Sequence, residues 1–107
     1  MAGAFGEMGN LLKQAQQMQK QLDRLREELD QQTVEGTAGG GAVRIQLSAY
    51  SRTVKGVSIA EEAAASGDAT MLSDLVAAAL EDALEKAEKL ADETLGKATG
   101  GIKLPGI

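Results

Sequence analysis

MGNLLKQAQQMQKQLDRLREEL, running from Met8 to Leu29, is the stretch whose spacing decides the fold. Its apolar residues, Met8, Leu11, Ala15, Met18, Leu22, Leu25 and Leu29, recur in alternating steps of three and four. That is an a/d seam over about three heptads, set among Gln, Lys, Arg, Glu and Asp. So narrow a stripe suits a helix that meets one other helix better than a helix lying on a broad core. The mate is then a helix elsewhere in the chain or the same helix of a second copy. Asn10 is the expected N-cap and Gln31 the approximate end, with residues 1–7 a loose lead-in and Met8 just outside the helix.

Past Gln32 the period falls to two. Thr33 to Thr37 is short and partly β-branched, and Ala38-Gly39-Gly40-Gly41 is a turn. AVRIQLS, 42–48, alternates Val43, Ile45 and Leu47 with Arg44, Gln46 and Ser48. A polar turn at 49–52 precedes TVKGVSI, 53–59. The pattern predicts a three-stranded antiparallel meander with one covered face. Val54 has the wrong parity for Val57 and Ile59, and a bulge at Gly56 repairs it.

After a connector at 60–67, Asp68 or Thr70 caps a second long helix, Met71 to about Leu95. Its stripe is broader (Leu72, Leu75, Val76, Ala79, Leu80, Ala83, Leu84, Ala87, Leu90, Ala91, Leu95). The first half is expected to cover the sheet, and the half from Ala83 to offer the antiparallel mate of helix one. The acidic set Asp74, Glu81, Asp82, Glu85, Glu88 and Asp92 is assigned to solvent, with Asp82–Lys86 and Glu85–Lys89 as ion pairs one turn apart. Residues 97–107 are read as a flexible tail. One domain of α+β class, 1–107, accounts for the whole chain.

Composition narrows the chemistry. Phe5 and Tyr50 are the only aromatics, so Leu, Val, Ile and Ala must fill the core. With neither Cys nor His, disulfides, thiol nucleophiles, imidazole bases and Cys/His zinc sites are excluded. Glu81 and Glu85 lack a facing carboxylate helix, which leaves no metal site to expect. Neither the glycine run nor Gly96-Lys97-Ala98-Thr99 matches a phosphate-binding loop. No cofactor, no small-molecule substrate and no enzymatic activity are expected. MAGAFGEMGN has neither a basic nor an apolar signal region, and no apolar run approaches the ~18 residues of a membrane span. The expectation is a cytoplasmic protein with no membrane partner.

The net charge of −5 argues against nucleic acid, but its distribution matters more. Ten of the sixteen acidic residues lie beyond Ile59, and the first half is near neutral. Lys13, Lys20 and Arg24 share one flank of the first helix, and Arg26 lies on the same arm.

The order long helix, meander, long helix brings a resemblance into view. LLKQAQQMQKQL (11–22), VEGTAGGGAVRIQL (34–47) and MLSDLVAAALEDAL (71–84) resemble the YbaB/EbfC family of bacterial nucleoid-associated proteins, and the likeness extends to the KLPG of the tail. It implies an α-β-β-β-α subunit in a tweezers-like homodimer that binds double-stranded DNA in the nucleoid, organises it and takes part in gene regulation. By position Lys13 matches the family's basic residue in KQAQQMQ, with Lys20, Arg24 and Arg26 on the same arm as DNA-binding candidates. This chain departs from the family pattern at Lys55-Gly56 and at the Ala49-Tyr50-Ser51 turn. A dimer would carry two cationic stripes able to straddle a duplex and meet phosphates, which gives affinity without sequence readout. The competing reading is an adaptor whose helical arms clamp another protein's helix without DNA.

Overall fold

The computed structural model describes residues 2–98, with side chains from residue 6 onward. Two thirty-residue helices, α1 (Ala2–Gln31) and α3 (Ala69–Ala98), bracket a three-stranded sheet and a single-turn helix α2 (Glu61–Ala65). The strands are β1 (Thr33–Ala38), β2 (Val43–Ser48) and β3 (Val54–Ile59), antiparallel in the order β1-β2-β3. This is the expected α+β meander between two long helices. No described helix is long and apolar enough to cross a membrane.

The first helix starts earlier than its sequence announces. Asn10 is no cap, and Met8 lies within the helix because α1 begins at Ala2. Gly3, Gly6 and Gly9 each cost a helix about 1 kcal/mol, but unlike proline they leave the hydrogen-bond ladder intact. From Ala2 to Gln31 the chain has no proline and no β-branched residue. At the other helix the cap is Asp68, whose Oδ1 accepts the Met71 N–H at 2.9 Å; Thr70 falls inside the first turn. That helix continues through Lys97 and Ala98, which the sequence assigned to the tail, while residues 99–107 lie outside the described part.

Glycine makes the β1–β2 connection possible. Gly39, Gly40 and Gly41 have φ of 62°, 67° and 97°, three successive left-handed residues that side-chain-bearing amino acids rarely adopt. The glycine run is thus a tight 3-10 turn between strands. The expected bulge forms one residue before Gly56: Gln46 pairs with Gly56 and Leu47 with Val54, leaving Lys55 as the extra residue. Val57 and Ile59 are thereby returned to the face of Ile45 and Val43.

Packing divides into two clusters. In the first, Ala79 and Ala83 of α3 lie on Val43, Ile45 and Leu47, with Val34, Leu72, Leu75 and Val76 around them. In the second, Leu22 and Leu29 of α1 meet Ala91 and Leu95 of α3 over Ala49. Small residues let the backbones come close. A side chain at Gly36 of β1 would run into the Ala79 carbonyl and the Ala83 nitrogen of α3. The seam of α1 is therefore only half used: Leu22, Leu25 and Leu29 are covered, whereas Met8 and Leu11 remain 61% and 64% exposed.

Dimensions follow from this partial overlap. Each long helix measures about 45 Å at 1.5 Å per residue, and the molecule extends 77 Å by only 19 × 16 Å. The two helices share little more than the span of Leu22–Leu29. Everything on α1 before Leu22 is an arm.

One acidic residue is misplaced by the sequence reading. Asp82 is not a solvent-face carboxylate: its Oδ2 accepts the Thr37 N–H of β1 at 2.9 Å and the Lys86 ammonium at 2.9 Å. Lys86 Nζ also donates to the Glu35 carbonyl at 3.0 Å. The Asp82–Lys86 pair thus forms as expected and additionally ties α3 to two backbone groups on the outer edge of β1. No Glu85–Lys89 pair is found among the described residues. The Thr37 hydrogen bond first, and Lys86 second, hold the Asp82 carboxyl below its ordinary range.

Three outcomes are expected. Gly36→Ala lowers the urea-unfolding free energy by about 1–3 kcal/mol, the penalty of overpacking; an unchanged midpoint would show that α3 has room to retreat. Leu22→Asp moves the midpoint by an equivalent of about 3 kcal/mol with loss of far-ultraviolet helicity, since it removes a buried leucine and inserts a charge. A depressed folded pKa gives stability that is full above the unfolded value near 3.9 and is lost as pH falls through the folded value. Melting temperatures of Asp82→Asn against pH should accordingly start lower at pH 7 and fall less steeply below about pH 4 than those of the parent.

Candidate nucleic-acid interface

The arm of α1 is where charge and exposure coincide. Between Met8 and Leu22 there is no carboxylate, while Lys13 and Lys20 are both present. At 3.6 residues per turn, positions 13, 20 and 24 fall on one line along the helix, and that line lies opposite the Leu22–Leu29 seam. Burying the seam on α3 therefore turns Lys13, Lys20 and Arg24 outward. All three are exposed, and none has an ion-pair partner among the described residues. They span about 16 Å of helix. Gln16 and Gln17 fill the space between Lys13 and Lys20 with neutral hydrogen-bonding groups. Glu27 and Glu28 follow Arg24 and end the cationic row.

Arg26 stands apart from these three. Its Nη1 bonds Asp23 at 3.2 Å, its guanidinium lies 5.8 Å from the centre of the Tyr50 ring, and its Nε is buried without a hydrogen bond. It lies between α1 and the β2–β3 turn, within the outer limit for a cation–π contact. Its structural neighbours are its own chain's groups.

The same turn is tied to the base of the arm by contacts that have no motif. Asp30 accepts the Ser51 N–H at 2.7 Å. Ser48, almost fully buried, shares a hydrogen bond with the Ser51 hydroxyl at 2.6 Å and accepts the Thr53 N–H at 3.0 Å. Ser51 in turn bonds Thr53 at 2.8 Å. This hydroxyl chain holds a turn in which Arg52 takes a left-handed φ of 58°, a conformation costly for arginine. Polar residues in a predicted turn were the only signal available to find it. The departure noted at Ala49-Tyr50-Ser51 thus falls on the piece that seats α1.

Other cations are less available or less clustered. Arg44 is paired with Glu35 at 3.4 Å, and Glu35 also accepts the Gln46 amide at 2.7 Å. Lys55 sits on the bulge and Arg52 on the turn, both exposed. Acid dominates the outer side of α3. Among the described residues no group of three or more Asp or Glu is placed to hold a metal ion.

Comparison with known proteins agrees with this architecture. The model of the YbaB/EbfC DNA-binding family matches residues 5–102. A protein of Pelotomaculum thermopropionicum, named a nucleoid-associated protein, is 41% identical over 102 residues, covering 95% of this chain and 96% of that one. A nucleoid-associated protein of Bacillus thuringiensis is 45% identical over 106 residues, covering 99% and 96%. The crystal structure of an uncharacterised protein from Helicobacter pylori superposes with a TM-score of 0.73 at 20% identity, covering 90% of this chain and 97% of that one, and so shares the fold. With a family match across nearly its full length and relatives above 40% identity, the chain belongs to the YbaB/EbfC DNA-binding family.

Proposed function

We propose that this chain is a non-enzymatic, homodimeric DNA-binding protein of the nucleoid, which holds duplex DNA mainly through phosphates and thereby helps organise the chromosome and regulate genes. The observation that carries the reading is the row Lys13, Lys20 and Arg24, exposed and without ion-pair partners among the described residues, of which Lys13 and Lys20 lie on a projecting stretch, Met8–Leu22, that has no carboxylate. Family membership and the nucleoid-associated relatives support it. Ammonium and guanidinium groups on one helix line release condensed counterions when they meet phosphate, and this drives binding with no reading of bases. The acidic side of α3 repels DNA and confines it to the arm. Arg26, committed to Asp23 and Tyr50, acts in this scheme by seating the arm. Two arms in a tweezers-like dimer place about six cations on the duplex. No cofactor or small-molecule substrate enters the scheme, and the site of action is cytoplasmic.

A second reading has one observation in its favour. Met8, Leu11, Leu12 and Met18 form exposed apolar surface on the same arm, as an adaptor for a partner helix would require. Salt separates the two readings. Six phosphate contacts give a slope of log K against log salt of about −5, and about 10³-fold loss of affinity between 50 and 200 mM. Apolar docking hardly responds to salt.

The test is fluorescence anisotropy of a labelled duplex at several salt concentrations, with the parent and with Lys13→Glu/Lys20→Glu. The parent should bind with the steep slope, and the variant should keep its fold and lose measurable binding. A variant that binds like the parent would remove the arm from the interface, and a flat salt response would favour the adaptor.

A further inference from the structure

The cover that α3 gives to the seam of α1 stops abruptly. Leu22, Leu25 and Leu29 pack with Ala91, Leu95 and Ala98. The next seam positions toward the tip, Met18, Ala15, Leu11 and Met8, are all exposed. At 3.6 residues per turn these four fall in the same arc of the helix as the buried leucines, so one apolar strip continues past the end of α3. Lys13 and Lys20 lie on the opposite side of the helix. The uncovered strip runs about 15 Å, from Met18 to Met8.

The chain itself leads to that strip. The first half of α3 lies on the sheet and its last turns reach the leucines of α1, so the two helices run antiparallel. The ~45 Å of α3 and the ~30 Å of α1 before Leu22 together account for the 77 Å extent of the molecule. The C-terminal end of α3 is therefore level with Leu22, and Ala98 directs the following residues along the arm toward its tip. Those residues are TGGIKLPGI, 99–107. Gly100 and Gly101 disfavour continued helix, and a proline at 105 favours an extended Leu104. At about 3.2 Å per extended residue, Ile102 comes about 13 Å and Leu104 about 19 Å beyond Ala98. Ala15 and Leu11 stand about 10 and 16 Å of helix beyond Leu22. In extended chain Ile102 and Leu104 share one side and Lys103 takes the other.

We infer that residues 102–105 dock as an extended strap on the exposed seam of their own chain's arm, Ile102 over Ala15 and Leu104 beside Leu11, with Lys103 turned to solvent. The strap takes up the apolar strip where α3 leaves off. Position and tethering favour it over a free partner helix. The chain needs no reversal of direction to reach the strip, and a connection of three residues gives an effective concentration on the order of millimolar. Because the strip faces away from Lys13 and Lys20, the strap leaves the cation row open and moves with the arm. The inference does not depend on what the arm binds.

Paired cysteines test the strap, because the chain has none of its own. On mild oxidation the full chain with Leu11→Cys/Leu104→Cys should close an intrachain disulfide roughly tenfold faster than Lys13→Cys/Leu104→Cys, whose helix position is at nearly the same height on the far side. Leu11 is 64% exposed, so its replacement leaves the fold intact. Mass under non-reducing conditions separates links within a chain from links between chains. Equal rates for the two pairs would show that the segment is not held on the seam, and a product linked mainly between chains would give the seam to another copy; either result overturns the inference. Hydrogen exchange of Ile102→Asp/Leu104→Asp supplies a readout without cysteine. Amides of residues 9–18 should exchange about fivefold faster than in the parent, while those of residues 23–29 keep their rates. Unchanged exchange at 9–18 would overturn the strap and leave the seam to a partner helix.

Discussion

Everything in this molecule depends on how closely α3 lies against β1. The contact is possible because Gly36 has no side chain where Ala79 and Ala83 pass. With the backbones that near, Asp82 reaches a strand N–H and Lys86 a strand carbonyl, so the helix replaces a missing strand with two side-chain hydrogen bonds. The three-stranded sheet is thereby anchored on one side. The same closeness fixes α3 over β1 and β2, which decides what is left bare on β3. Van der Waals packing between small residues is thus the source of both the stability of the subunit and its asymmetry.

The arm inherits its direction from that anchor. Helix α3 runs past the sheet, and its alanine-rich end takes up Leu22 and Leu29. Orientation about the helix axis comes from this burial alone: once the leucines face inward, the line of Lys13, Lys20 and Arg24 must face out. The turn at Ala49–Arg52 fixes the remaining freedom through Asp30, Arg26 and the buried Ser48. Charge placement on the arm is a consequence of core packing some distance away.

Much of this was legible in the residues. Alternation in AVRIQLS and the parity break at Val54 located the meander and its bulge, because strand periodicity is strict when one face is buried. Capping chemistry narrowed the start of α3 to Asp68 or Thr70, and the Met71 N–H bond selects Asp68. The reading misjudged the start of α1, since Asn10 resembles a cap and the preceding glycines look irregular, although nothing there breaks a helix. It treated the seam as continuous, because periodicity reports which residues could pack and not how far a partner extends. By residue type Asp82 reads as a solvent-facing carboxylate and Arg26 as one more DNA-binding cation of the arm. Their partners, Thr37 and Tyr50, are brought near only by tertiary structure, and no local pattern encodes such a meeting. The exposed row on the arm was legible as a row; its freedom from ion pairs required the fold.

The length of the unsupported arm has a mechanical consequence. Met8 lies about 21 Å of helix beyond Leu22, the last residue clamped by α3. A helix held at one end behaves as a lever, and a tilt of about 10° at its base carries the tip through roughly 4 Å. That is close to the ~3.4 Å rise between successive phosphates of a strand. Small adjustments at the pivot would thus shift Lys13, about 13.5 Å from Leu22, by roughly 2.4 Å, while Arg24, near the fulcrum, hardly moves. An arm of this geometry can keep one contact fixed and let the other slip, which suits a surface that must follow DNA whose groove width and bend vary from place to place.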